Sequence, residues 1–160
     1  MALKIGIVGM GGIGNRHAEC YKDDSLAELV AVCDIIKEKA DDAAERHGVK
    51  AYYSLKEMLK AHPELDIVDV TTSGYGSWHY VPVMEAIDAG KHVLVEKPIS
   101  NDIGEAREMV RFAAQKDVYL GCNLNHYFTQ PADKAMQYIK GGKVGEPVYC
   151  LHKMGFNGGE

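Results

Sequence analysis

Short apolar runs recur along the chain, each followed by a stretch whose apolar positions are spaced as on a helix face. Lys4–Val8 (KIGIV) is the first run and ends in glycines; Ile13–Tyr21 follows with small and apolar residues at helical spacing. Leu29–Cys33 (LVAVC) closes on Asp34, and Ile36–His47 reads as a helix stopped by Gly48. Lys50–Tyr53 predicts a short third strand. Ser54–Glu57 has the S-x-x-E form of a capping box that opens a helix to Ala61. Asp66–Val70 (DIVDV) is a fourth strand, and the loop Thr71–Ser77 leads to a helix over Trp78–Ala89 ended by Gly90. Pro82 fits that helix in its first turn or at a kink. His92–Val95 and Val118–Cys122 predict a fifth and a sixth strand around a helix over Asp102–Lys116, with Asn101 as its cap. Gln130–Lys140 follows as a helix with Thr129 as cap, Pro131 near its start and Gly141 as its stop. Glu146–Lys153 reads as a seventh strand.

Brief apolar strands alternating with helices predict an α/β fold with a buried parallel sheet and helices on both faces. Crossovers are then right-handed, and a doubly wound sheet of order 3-2-1-4-5-6 is expected. No fixed-period repeat and no low-complexity tract interrupts the pattern.

Composition narrows the function. The chain has 160 residues, 46% of them hydrophobic and 26% charged, which is ordinary for a globular domain. Its net charge is −5, so no basic face is expected and nucleic acid is a poor partner. No apolar run is long enough to span a membrane, and the N-terminus lacks the charged lead and apolar stretch of a signal peptide. Cys20, Cys33, Cys122 and Cys150 are scattered without a C-x-x-C, which argues against a disulfide framework or zinc and for a reducing cytoplasm. The histidines form no H-E-x-x-H and no cluster with cysteine, so no metal site is expected.

Gly9-Met10-Gly11-Gly12-Ile13-Gly14 matches G-x-G-x-x-G. With 17 glycines in the chain the spacing alone is weak. Placed between the first strand and the first helix it becomes specific: Gly9 permits the tight turn, Gly11 lets backbone approach a pyrophosphate, and Gly14 lets helix and strand pack closely. The helix N-terminus then offers free N–H groups and partial positive charge to phosphate. Asp34 lies 34 − 14 = 20 residues beyond the last glycine, where a carboxylate accepts from adenosine ribose hydroxyls. Its other reading is a helix cap. Asp34 repels a 2′-phosphate and is followed by Ile35 rather than Arg, so NAD is favoured over NADP, although Lys37 lies close by.

Gly90–Pro98 (GKHVLVEKP) ends the fifth strand, where open α/β sheets place ligands. Together with Gly9–Gly14 and His17, Asp34, Asn125–Phe128 and Gly141–Gly145, this stretch resembles the glucose–fructose oxidoreductase / inositol dehydrogenase (Gfo/Idh/MocA) family over essentially the whole chain. The resemblance implies a Rossmann domain over residues 1–124. Residues 125–160 would begin a C-terminal α/β domain for substrate and oligomerisation, truncated after its first helix and strand. It also implies NAD(P)-dependent hydride transfer on sugars, inositols or related polyols. Lys97 would be the catalytic residue beside the nicotinamide, Glu96 would contact the nicotinamide ribose, and the Lys97–Pro98 bond would be cis. A Lys suits this place because a cationic amine polarises the reacting hydroxyl and, with its pKa lowered by burial, shuttles the proton. The alternative for Glu96–Lys97 is a surface ion pair.

Two stretches depart from the family pattern. Thr71–His79 (TTSGYGSWH) stands where the family has a shorter Pro-Asn loop leading to a His; Thr71, Thr72, Ser73 and His79 are carried as cofactor contacts, with packing as the alternative for Trp78 and His79. Tyr127 stands before Phe128 where the family usually has Arg. Asn123, Asn125 and Tyr127 either line the nicotinamide end of the cleft or form a polar turn. His17, with no acid–base partner nearby in sequence, reads as packing. The family's remaining substrate-site Asp and His find no local counterpart, so the isolated chain is expected to bind dinucleotide without turnover. Self-association through the tail strand is expected as well. Two rival readings stay open: a non-catalytic NAD-binding or redox-sensing module, and a methyltransferase, which Glu96-Lys97-Pro98 argues against. Neither a nucleophile elbow nor a P-loop is present.

Overall fold

The computed structural model describes residues 2–74 and 78–151. Its parallel sheet contains β1 (Leu3–Val8), β2 (Ala27–Cys33), β3 (Lys50–Tyr52), β4 (Ile67–Val70), β5 (His92–Glu96) and β6 (Leu120–Asn123). The strand order is β3-β2-β1-β4-β5-β6, so the chain crosses from one side of β1 to the other between β3 and β4. Helices α1 (Gly12–Lys22), α2 (Lys37–His47), α3 (Leu55–Ala61), α4 (Tyr80–Asp88) and α5 (Ile103–Gln115) make the connections.

Two apolar clusters cover the two faces. Ile5, Ile7 and Val32 meet Ala18 of α1 and Ala43 of α2 on one face. Val68, Val70, Val93 and Val95 meet Met58 of α3, Val83 and Ile87 of α4, and Met109 of α5 on the other. This is the doubly wound arrangement that near-continuous apolar strands require, since each face needs its own cover. Period-2 alternation along β4 sends Val68 and Val70 to the α3–α5 face and Asp69 to the face of α1.

Local signals explain the element ends. Ser54 accepts the N–H of Glu57 at 3.3 Å, as the capping pattern requires. Pro82 sits in the first turn of α4, where its missing N–H leaves no intrahelical bond unmade. α2 stops at Gly48, whose φ of 69° is left-handed. The cap of α5 is Asp102, not Asn101: its carboxylate accepts the N–H of Glu105 at 2.9 Å, whereas Asn101 donates to the Gly74 carbonyl at 2.6 Å.

The chain divides into two compact units, Met1–Asn123 and Leu124–Glu160. The second contains a 3₁₀ turn over Asn125–Phe128 and α6 (Gln130–Lys140), of which no residue is buried. The seventh strand expected over Glu146–Lys153 is not formed by residues 146–151, and the rest of it lies outside the described residues. Val148, Tyr149 and Leu151 are exposed there, and a strand without a neighbouring ladder has nothing to pair its backbone groups.

Candidate functional site

β1 delivers the chain into the glycine turn at the centre of the sheet. Gly9 has φ of 99°, and a Cβ there would meet the Thr72 nitrogen at 2.7 Å. A Cβ at Gly14 would collide with the Gly9 carbonyl oxygen and approach Thr71 Oγ1 at 2.8 Å. A Cβ at Gly11 or Gly12 would meet nothing within 4 Å. Two glycines are therefore forced by packing, while two border open space. Thr71 Oγ1 donates to the Gly9 carbonyl at 2.7 Å, and Asn15 Nδ2 donates to those of Gly11 and Met10 at 2.9 and 3.2 Å. Helix α1 then begins at Gly12 with no side-chain cap and no acidic residue in its first turn, so its first N–H groups are left to an incoming acceptor.

Asp34, at the end of β2, holds the same loop from the side. Its Oδ2 accepts the Met10 N–H at 2.7 Å and its Oδ1 accepts the Ile36 N–H at 2.8 Å. The second bond is an Asx turn ahead of α2 rather than a cap on the helix. Two hydrogen bonds leave a carboxylate with spare acceptor capacity. Lys37 leans over the Tyr53 ring at 5.1 Å instead of pairing with Asp34.

A cleft of about 830 Å³ opens over the C-terminal ends of the strands. Gly9, Gly11, Gly12, Ile13, Asp34, Thr71, Thr72, Ser73, Glu96 and Lys97 all border it, as does Lys39, which sequence reading passed over. Met10 turns into the core beneath α1, and Gly14 lies packed against the loop. His79 is buried behind the wall, its Nδ1 2.7 Å from the Pro98 carbonyl oxygen and its Nε2 3.0 Å from that of Thr72. It ties the loop after β4 to the turn after β5. Asn125 belongs to the second unit. Residues 75–77 of the variant loop lie outside the described residues.

Lys97 is exposed, and among the described residues its ammonium pairs with no carboxylate. The Lys97–Pro98 peptide is cis. Glu96, by contrast, is buried at the edge of the cleft. Its Oε2 accepts the Lys97 N–H at 3.1 Å, and its Oε1 accepts from Asn123 Nδ2 at 2.5 Å. Glu96 and Asn123 are register partners across β5 and β6, which places their side chains on one face.

The same carboxylate meets a group that sequence reading assigned to packing. His17 Nε2 lies 3.3 Å from Glu96 Oε1, and His17 Nδ1 lies 2.7 Å from Asp69 Oδ2. Tyr21 donates to the same Asp69 oxygen at 2.7 Å. His17 and Tyr21 are four residues apart on α1 and so share a face. The hydrogen bond to Asp69 raises the His17 pKa above the usual histidine value, against the effect of burial. Burial and the Asp69 charge push the Tyr21 hydroxyl upward, which keeps it a donor. One signal was available in the sequence: an Asp inside the apolar run DIVDV demands a buried partner. The partner lies 52 residues away, beyond any local reading.

Among the described residues no group of three His, Cys, Asp or Glu side chains could hold a metal ion, and no helix is long and apolar enough to cross a membrane.

Residues 3–124 match the Gfo/Idh/MocA oxidoreductase family, NAD-binding Rossmann fold. The chain belongs to this family. It is 30% identical to a myo-inositol 2-dehydrogenase of Thermotoga maritima over 91% of its own length, and 29% identical to a D-glucoside 3-dehydrogenase of Escherichia coli over 90%. It superposes with a TM-score of 0.84 and 28% identity on scyllo-inositol dehydrogenase from Lactobacillus casei, solved with NAD(H) and scyllo-inositol, covering 91% of this chain. The chain spans only 43%, 41% and 43% of those three proteins respectively. The open space at Gly11 and Gly12, the uncapped start of α1 and the spare acceptor capacity of Asp34 fit the dinucleotide of this family.

Proposed function

We propose that this chain forms the cofactor half of a dehydrogenase that transfers hydride between NAD(H) and a ring hydroxyl of a sugar, inositol or related polyol. The observation that carries the reading is one cleft bordered by the open glycines, by Asp34 and by Lys97. The backbone N–H groups at the start of α1 receive the pyrophosphate. Asp34 accepts from the adenosine ribose hydroxyls and repels a 2′-phosphate, which selects NAD over NADP. Thr71, Thr72 and Ser73 wall the cleft after β4, and Glu96 accepts from the nicotinamide ribose. When bound, the nicotinamide supplies the hydride acceptor. Lys97, as the neutral amine, hydrogen-bonds the reacting hydroxyl and accepts its proton as the hydride leaves the carbon; in the reverse direction the resulting ammonium returns that proton to the oxygen.

The isolated chain takes up cofactor without turnover, because among the described residues no histidine borders the cleft to complete a substrate site. A cytoplasmic location and self-association belong to the same proposal. The first rests on scattered, unpaired thiols, the second on the exposed Val148, Tyr149 and Leu151. Light scattering that showed monomer alone would remove the second.

Calorimetric titration with NADH and NADPH tests the cofactor assignment, with Asp34→Ala as the comparison. Tighter binding of NADH, lost in the variant together with much of the discrimination, is the expected result. Tighter NADPH binding would overturn the assignment, and NADH formation from any polyol by the isolated chain would overturn the claim of no turnover.

A further inference from the structure

Asp69 is a charged side chain with no exposed surface in a central strand. Its Oδ1 is buried without a partner among the described residues, so its charge is answered entirely at Oδ2, by His17 and Tyr21. Burying a carboxylate costs several kcal/mol unless a cation and hydrogen bonds accompany it, and His17 is the group in position to carry that cation. Across the same ring stands a second carboxylate, Glu96, at 3.3 Å from Nε2. An imidazolium donates from both nitrogens and satisfies both acids at once. A neutral ring keeps its proton on Nδ1 for Asp69 and leaves Nε2 a bare acceptor. Asn123 Nδ2, at 3.1 Å from Nε2, can donate to the bare form only. The site therefore has two hydrogen-bonding states that differ by one proton and by whether His17 joins Asn123 in holding Glu96.

We propose that His17 is a positioning residue for Glu96: gripped by Asp69 at one ring nitrogen, it holds the Glu96 carboxylate from the other and so couples dinucleotide binding to its own protonation. The inference rests on the proposed role of Glu96 at the nicotinamide ribose. The titratable or polar groups that face His17 are Asp69 from β4, Glu96 from β5, the uncharged Asn123 from β6, and Tyr21 along its own helix. Both acids favour the cation. An arriving pyrophosphate favours it too, because it brings negative charge to the N-terminus of the helix that carries His17. Binding and protonation then assist each other by the same factor, as linkage demands.

The test follows the His17 ring by NMR in the histidine-labelled 160-residue chain, from pH 5.5 to 9, free and saturated with NADH. The titration midpoint of His17 is expected to rise on binding. NADH affinity is expected to weaken about ten- to a hundredfold from below the midpoint to above it, the range of a single hydrogen bond to a charged group. His17→Gln keeps a donor but cannot titrate; it is expected to bind NADH at the weak limit with that pH dependence gone. Saturation with an unmoved His17 midpoint overturns the inference and leaves the dinucleotide reading standing. A folded chain that takes up no NADH at any pH overturns both. Where His17→Gln fails to fold, the wild-type titration alone decides.

Discussion

Replacing Gly14 with alanine drives a methyl carbon into the carbonyl oxygen of Gly9 and to 2.8 Å from Thr71 Oγ1. The first obstacle is backbone, not the free end of a side chain, so α1 must move away from β1 or the Gly9 turn must open. Overpacking of this kind costs about 1–3 kcal/mol. Opening the turn also strains the 2.7 Å bond from Thr71 to Gly9, whose loss adds about 1 kcal/mol. A total destabilisation of about 2–4 kcal/mol follows, or a fall in Tm on the order of 10 °C for a domain of this size. Gly11→Ala is the companion variant. Its added carbon meets nothing within 4 Å, and φ of −79° with ψ of −162° suits any residue. The cost is then limited to a poorer N-cap, about 0.5–1 kcal/mol, while the methyl group enters the space assigned to pyrophosphate. Urea melts and NADH titrations of both variants separate the two roles. A Gly14→Ala protein as stable as the parent would refute the packing argument, and a Gly11→Ala protein that binds NADH undiminished would refute the cleft assignment.

Two further outcomes are expected. His17 has its pKa raised in the folded chain, so its contribution to stability is complete below its unfolded value near 6.5 and is lost as pH rises through the folded value. His47, lowered by burial, contributes in the opposite sense, so the comparison is made against His17→Gln. The stability gap between the parent and that variant in urea narrows from pH 6 to pH 9; a gap independent of pH would sink the assignment of a charged pair with Asp69. Burial pushes the Cys33 thiol up to about 12, whereas Cys20 is exposed. Mass-mapped alkylation at pH 8 under native conditions therefore modifies Cys20 and spares Cys33 until denaturant is added, and prompt modification of Cys33 would contradict the packing of β2.

Most of the architecture could be read along the chain because its causes are local. Apolar strands such as LVAVC, the S-x-x-E cap at Ser54 and the stop at Gly48 each act within a few residues, and their alternation with helices leaves little choice of topology. The glycine loop and Asp34 were legible for the same reason: their spacing along the chain sets their spacing across one strand–turn–helix unit. Other assignments needed the third dimension. The sequence pattern puts the cap at Asn101 with Asp102 as the first helical residue, and only the backbone path at the start of α5 gives the cap to Asp102. The expected tail strand was apolar enough, but residues 146–151 do not form one, because strand pairing depends on a partner ladder and not on the segment's own apolarity. His79 carries no mark in the sequence of its place between the carbonyls of Thr72 and Pro98.

The clearest division lies at the mouth of the sheet. Sequence alone determined that a glycine turn, an acid after the second strand and Glu96-Lys97-Pro98 after the fifth belong to one dinucleotide-binding unit, since each motif sits at a strand end and parallel strands align those ends. Only the tertiary structure decided that Asp69, His17, Glu96 and Asn123 meet. They come from β4, α1, β5 and β6, and the longest contact joins residues 106 apart. Parallel pairing brings such distant residues side by side on one face, and the low polarity there turns a chance adjacency of charges into a requirement that they be matched.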